Sequence, residues 1–414
     1  MHTQLFVGVD THKDSHTAAV LDSYFGTLAT ITFANSFKGF SQFTEKLEKI
    51  AKGKTCLFGL EDSQGLGNFL AEFLLKKGFS VVDINPISTD RGRRLTVHRD
   101  KSDDRDAILI TKTLIAENSN LNPVRINKNS IALREMIRYR QTLVEESTRV
   151  KNRLHVLLFN QYMRVLDLFS SLFSRCALAF FAKYPNPSLL KDTDLDTLAT
   201  FLKANSKGRY GREKARAILS TTSNSVAGSL VDTRAYIIRK HISKLLEIQG
   251  ELEKIKDILC PLIEKSSYSC LRSIPGIDTV TAAKIISQVI DIDRFSSSSK
   301  LAKFIGIAPR EKSSGRKKKY QKSKYGKKFL YSTIYFMTLT HISRTRDGRD
   351  KNPISRAYYL KKVSEGKTKK EALTCLARRL CDLIFAIMRD RSIYNFSKSK
   401  FTKQHSVVLD TVVA

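Results

Sequence analysis

Between residues 5 and 84 the apolar runs arrive in an order that few folds can accept. Residues 5–9 (Leu-Phe-Val-Gly-Val), 17–21 (Thr-Ala-Ala-Val-Leu) and 27–33 (Thr-Leu-Ala-Thr-Ile-Thr-Phe) are short, apolar or alternating, and separated by polar turns. They predict three strands in an antiparallel meander. A helix is predicted over 37–50, where Phe40, Phe43, Leu47 and Ile50 recur at steps of three and four among charges. A buried strand at 55–60, a helix at 66–75 and a fifth strand at 79–84 follow. The order is three antiparallel strands, then a helix, a strand, a helix and a strand.

The rest of the chain reads as helical. Leu133, Met136, Ile137, Leu143, Val144, Val150, Leu154, Leu157 and Leu158 form one apolar face of a long helix over 131–159. Ile238, Leu245, Ile248, Leu252, Ile255 and Leu259, broken only by His241, make a heptad seam that Pro261 is expected to end. That seam favours an intermolecular coiled coil slightly over packing inside the subunit. At roughly 150 residues per domain, 414 residues predict two or three domains. The limits fall at 1–160, at 161–264 for a helical coiled-coil linker, and at 265–400, with a disordered tail at 401–414.

Charge narrows the partner. The 72 Lys and Arg exceed the 40 Asp and Glu by 32, with a pI near 9.9, which points to a polyanion and by default to nucleic acid. No apolar run reaches the roughly 18 residues of a membrane span, and the N-terminus lacks a basic stretch before its apolar segment, so a cytoplasmic protein without a membrane partner is expected. The six cysteines show no CxxC pair and no zinc spacing, and read as reduced and buried. The basic residues are densest between 310 and 328, where Arg310, Lys312, Arg316, Lys317, Lys318, Lys319, Lys322, Lys324, Lys327 and Lys328 face Glu311 alone. Its Gly and Ser content suggests a loop, and its place between two apolar segments suggests phosphate binding by Arg310, Lys312, Gly315, Arg316, Lys317, Lys318, Lys319, Lys322 and Lys324. A second candidate contact is the turn at Pro275 and Gly276, which leads into a helix whose N-terminal N–H groups suit an anion.

Four acids stand where chemistry is plausible. Asp10 ends the first strand, Glu61 follows the fourth, and Asp103 and Asp106 share a helix face three residues apart. The element order matches an α/β ribonuclease-H-like (RuvC-like) fold, in which these segments converge. Singly, each acid is an ordinary surface charge, and Asp103 suits a helix N-terminus. Asp10 differs, because a charge directly after a buried run is costly without a partner or metal. Clustered carboxylates call for cations, Mg2+ being the natural occupant, and two ions about 3.5–4 Å apart would serve phosphodiester chemistry. Asp14, His16, Asp62 and Asp104 are neighbours that rank lower because periodicity turns them to other faces.

The stretches Val7-Gly-Val-Asp10-Thr-His-Lys, Gly59-Leu-Glu61 and Lys101-Ser-Asp103-Asp-Arg-Asp106-Ala resemble the DEDD motif of insertion-sequence recombinases. Those proteins join a RuvC-like domain to a C-terminal transposase domain and are guided by a bridge RNA. The likeness continues through Ile274-Pro-Gly-Ile, Asp291-Ile-Asp-Arg-Phe295, Leu301-Ala-Lys-Phe-Ile-Gly306, Ser313-Ser-Gly315 and Lys324-Tyr-Gly326, covering about residues 4–160 and 265–395. It implies a mainly α C-terminal domain with a helix-hairpin-helix-like element, and a metal site at Asp10, Glu61, Asp103 and Asp106. It also implies Ser314 as a nucleophile, with Ser313 its immediate rival. The partners it implies are donor and target DNA, a structured guide RNA, and a homo-oligomer, dimer or tetramer, whose subunits share the half-sites. The expected activity is that of a transposase. The rival expectations are a RuvC-like junction resolvase or nuclease using metal-activated water, and a non-enzymatic nucleic-acid-binding protein.

Overall fold

The computed structural model describes residues 4–61, 65–84, 86, 88–90, 102–117, 121–124, 128–162, 164–222, 230–314, 317–321 and 326–394, with 310–320 described by their backbone alone. The expected tail at 401–414, and Gly315, Arg316, Lys322 and Lys324, lie outside the described residues. The chain forms two compact units, residues 1–127 with 291–296, and residues 128–290 with 297–414. No helix among the described residues is long and apolar enough to cross a membrane.

Unit 1 is α/β. Strands β1 (Gln4–Thr11), β2 (Ser15–Leu21), β3 (Thr27–Ala34), β4 (Thr55–Glu61), β5 (Ser80–Asp83) and β6 (Asn122–Pro123) form one sheet in the order β3-β2-β1-β4-β5-β6. The first three strands pair antiparallel, as the meander reading expects, whereas β4 joins β1, and β5 joins β4, in parallel. The period of two sorts the side chains of the central strands onto opposite faces. Leu5, Val7, Val9, Phe58 and Leu60 meet α1 (Phe37–Ala51) and α2 (Asn68–Lys76), where Phe33 stacks on Phe43 with ring centroids 4.1 Å apart. Phe6, Leu57, Val82 and Ile84 meet Ile110 and Leu114 of α3 (Asp103–Glu117) on the other side.

Two glycines set how closely α3 lies. Gly8 and Gly59 pair in register on β1 and β4, and both face α3. A Cβ on Gly8 would come within 2.4 Å of the Thr111 backbone N and Oγ1, and one on Gly59 within 3.0 Å of Ile84 Cγ1 and 3.2 Å of Leu114 Cδ2. The Thr111 hydroxyl uses the first gap: it accepts from the Gly8 N–H at 3.0 Å and has the carbonyls of Ala107 (2.8 Å) and Ala19 (3.1 Å) within donating reach. Gly8→Ala is therefore expected to cost about 3 kcal/mol, the upper end for overpacking, since helix backbone must move. Gly59→Ala, which presses only on side-chain ends, should cost about 1 kcal/mol. Urea melts of the two variants check the difference, and equal costs would mean that α3 is not pinned at Gly8.

Among its described residues unit 2 is helical apart from one hairpin and an isolated bridge between Arg344 and Asp350. The long helices α4 (Lys128–Gln161) and α9 (Val231–Glu264) pack on each other. Between them in sequence come α5 (Val165–Leu168), α6 (Arg175–Lys183), α7 (Leu195–Asn205) and α8 (Arg212–Thr222), around an aromatic cluster of Tyr162, Phe169, Phe180, Phe181 and Tyr184. Beyond α9 come α10 (Thr279–Val289), α11 (Ser298–Ile305), the antiparallel pair β7 (Arg310–Ser314) and β8 (Lys317–Gln321), α12 (Lys328–Ile342), α13 (Pro353–Ser364) and α14 (Lys369–Asp390).

Three expectations change. The heptad seam is buried within the chain: Ile238, Ile242, Leu245, Ile248, Ile255 and Leu259 are covered in a helix whose main partner is α4 of the same subunit, so that face is not available to build an intermolecular coiled coil. Ile242 enters the seam in place of His241, whose half-buried imidazole burial, and then Arg153, hold below its ordinary pKa. Pro261 does not end α9, which continues to Glu264. A proline that close to a helix end removes a single backbone bond, and its own carbonyl still accepts from Lys265 at 3.1 Å. The basic stretch read as a loop contains a hairpin instead, in strands that carry no apolar alternation to announce them.

Candidate active site

Asp10 and Glu61 are register partners at the ends of the parallel strands β1 and β4, two residues beyond the glycine pair and on the face that meets α3. Adjacent strands lie about 4.8 Å apart, so the two carboxylates start from neighbouring Cα positions. The Thr11 hydroxyl donates to the Glu61 carbonyl at 2.9 Å and ties the two strand ends together. Asp103 opens α3 and is exposed, while Asp106, one turn further on, is buried at 7% exposure. Three chain segments thus bring four acids to one end of the sheet. Burial pushes the Asp10 carboxyl above its ordinary pKa; the charge of His12 opposes this, and the charges of Asp106 and Asp103 add to it.

His12 is a member of the site that the sequence reading quoted without a role. Its Nε2 lies 3.1 Å from Asp10 Oδ2 and 3.4 Å from Asp103 Oδ1. Ligand atoms of Asp10, His12 and Asp103 fall within 4.8 Å of one another, a set able to hold a metal ion. The carboxylate oxygens suit a hard divalent cation, and the imidazole nitrogen would also suit a softer one. His12 stands one residue beyond the end of β1, so its nearness to the strand end was the only sign in the sequence. Of the lower-ranked neighbours, His16 is buried on the opposite face, stacked 5.9 Å from Phe40, while Asp14 and Asp104 are exposed. Asp62 lies outside the described residues.

In unit 2, Ser314 is the last residue of β7, paired with Lys317 of β8, and Ser313 pairs with Lys318. Lys312 pairs with Lys319, and Arg310 with Gln321. The hairpin therefore gathers the serines and much of the basic run onto one two-stranded ribbon. Gly276, at φ 84°, makes the turn that follows Pro275, and the Pro275 carbonyl accepts from His341 Nε2 at 2.6 Å. The N-terminus of α10 is capped by Asp278, whose carboxylate accepts the Thr281 N–H at 2.7 Å, so an anion there would meet a carboxylate already in place. Net charge divides sharply. Unit 1 has 17 Lys and Arg against 17 Asp and Glu, and unit 2 has 55 against 23, so the whole formal +32 belongs to unit 2.

Two family profiles match the chain. One, the DEDD transposase of IS110 elements, described as "Transposase", covers residues 7–163, and the other, "Transposase IS116/IS110/IS902 family", covers residues 268–360. Among curated relatives, the "Insertion element IS116 uncharacterized 44.8 kDa protein" of Streptomyces clavuligerus is 24% identical over 403 residues, 95% of this chain and 96% of the relative. The "Mini-circle putative transposase for IS117" of Streptomyces coelicolor is 23% identical over 76% of this chain and 78% of its own length. A "Pilin gene-inverting protein" of Moraxella bovis is 31% identical over 29% of this chain and 36% of its own. The first profile spans every one of the four clustered acids and the second spans the serine hairpin, and full-length similarity joins them in one polypeptide: the chain belongs to the IS110 family of DEDD transposases.

Proposed function

We propose that the chain is the transposase of an insertion sequence that cuts and rejoins DNA with a metal-dependent DEDD site and a serine nucleophile, and that a structured RNA selects its DNA. The reading treats unit 1 as a RuvC-like domain of the ribonuclease-H-like kind, working in the cytoplasm, and the active form as a homo-oligomer. The observation that carries it is the in-register pair Asp10 and Glu61 beneath the helix that supplies Asp103 and Asp106. Asp10, Glu61, Asp103 and Asp106 would hold divalent metal, Mg2+ in this reading, which when bound supplies the positive charge that a phosphodiester gains from in its transition state.

The residues of the chain do the rest. The Ser314 hydroxyl attacks the phosphorus and gives up its proton, an O–P bond forms to the serine, and the displaced DNA oxygen leaves with the electron pair of the broken P–O bond and takes up a proton to become a hydroxyl. The seryl phosphodiester conserves the bond energy, and a DNA hydroxyl reverses the step to rejoin a strand. The basic residues Arg310, Lys312, Arg316, Lys317, Lys318, Lys319, Lys322 and Lys324 hold the phosphate backbone near that hydroxyl.

The wild-type protein with DNA carrying the ends of its element tests this directly. With Mg2+, denaturing gels should show a protein–DNA adduct that chelation prevents, and RNA should copurify with the protein. Cleavage without any adduct would replace the serine mechanism by the metal-activated water of a RuvC-like nuclease. Binding without cleavage under any divalent ion would leave a nucleic-acid-binding protein.

A further inference from the structure

In unit 2, α4 and α10 run antiparallel along each other. Ser130 Oγ donates to the Ile290 carbonyl at 3.4 Å, and Arg134 Nε donates to the Ser287 carbonyl at 3.3 Å. Further along α4 and back along α10 stand Arg140 and Lys284, close enough that the charge of Arg140 acts on the Lys284 ammonium. Both side chains are half-buried, and neither forms an ion pair among the described residues. The Nε of Arg140 is buried with no hydrogen-bond partner among the described residues, although a guanidinium N–H shielded from water needs an acceptor. Lys284 Nζ sits 5.6 Å from the centre of the Phe329 ring, which holds the ammonium in place without neutralising it.

The electrostatics agree. Burial first, and then the charge of Arg140, hold the Lys284 ammonium below its ordinary pKa, and the charge of Asp278 opposes them more weakly. Two like charges half-removed from water, one of them with an unanswered donor, are unfavourable to the free protein and become favourable when an anion joins them. A phosphate oxygen answers both, since guanidinium and ammonium are the ordinary partners of phosphodiesters. The site lies in the unit that carries the whole net positive charge. We infer that Arg140 and Lys284 form a phosphate clamp on unit 2 that receives a backbone phosphate of DNA, apart from the serine hairpin. This rests on the reading of the chain as an enzyme acting on DNA.

The test uses the full-length protein, a labelled DNA duplex and a labelled RNA, with binding followed by fluorescence anisotropy across a salt series. Arg140→Gln and Lys284→Met keep the packing and remove the charges. The double variant should lower the slope of log K against log salt for DNA by about one. Its melting temperature without nucleic acid should stay level or rise, because a repulsion has been removed. An unchanged DNA slope overturns the clamp, including the case in which inorganic phosphate still stabilises the wild type and marks a free-anion site. A loss confined to RNA overturns the assignment to DNA. A fall in melting temperature in both single variants overturns it as well, because the cations would then be structural. If the wild type shows no salt-dependent binding to DNA, the reading of the enzyme itself fails before the variants are compared, and the clamp fails with it.

Discussion

Asp10→Asn is expected to reduce recombination by more than about a hundredfold while leaving the metal-free protein at least as stable as the wild type. Losing even an outer-sphere partner of a metal ligand typically costs about 10–100-fold, and a ligand at the centre of the cluster should cost more. The stability half follows from the sign of the pKa shift. Burial, with Asp106 and Asp103, raises the folded-state pKa of Asp10 above its ordinary value, so the folded protein holds that proton more tightly than the unfolded chain does. The associated stability is present in acid and is lost as pH rises through the raised pKa. At neutral pH the charged carboxylate is therefore a burden on the metal-free fold, and Asn removes it. Paired measurements of recombination and of thermal melting in chelator check both halves. Undiminished recombination would remove any catalytic role for the carboxylates, and a large fall in melting temperature would make Asp10 a structural acid.

Ser314→Ala should abolish the protein–DNA adduct and strand rejoining altogether, with melting and DNA binding unchanged. Ser314 is the last residue of β7, and removing a hydroxyl leaves the backbone ladder with Lys317 intact. Ser313→Ala is the control, because alternate residues of a strand point to opposite sides and only one of the two can face a given phosphate. Denaturing gels of both variants decide. If Ser314→Ala retains the adduct and Ser313→Ala loses it, the neighbouring serine is the nucleophile. Cleavage persisting in both with wild-type folding excludes serine chemistry.

The unit that holds the four acids is more legible in the sequence than the unit that carries the net charge. Asp10 and Glu61 were visible because a carboxylate directly after a buried apolar run has few tolerable explanations. Asp103 and Asp106 were visible because three-residue spacing on a helix is a local property. His12 is not legible in the same way, since a lone histidine one residue beyond a strand end carries no sign of what lies across from it. The lysine-rich hairpin was hidden for the opposite reason. Strands usually declare themselves by alternating apolar residues, and β7 and β8 have none. Compactness also places α4 with unit 2, whereas the motif-based limit at 160 assigns it to the first domain, because contacts with α9 and α10 bind it there.

By itself the sequence determined the elements of unit 1 and their order, the positions of the acids along the chain, the surplus of positive charge, and the spacing of the α9 seam. All of these are set by neighbours within a turn or two of backbone, where propensity and periodicity act. Only the tertiary structure decided that Gly8 stands beside Gly59, that Thr111 fills the space beside Gly8, that His12 joins Asp10 and Asp103, and that the seam closes on α4. Each depends on which distant segment occupies the adjoining space, and that choice comes from packing the whole chain at once, with the missing side chains of two glycines mattering as much as the charges of four acids.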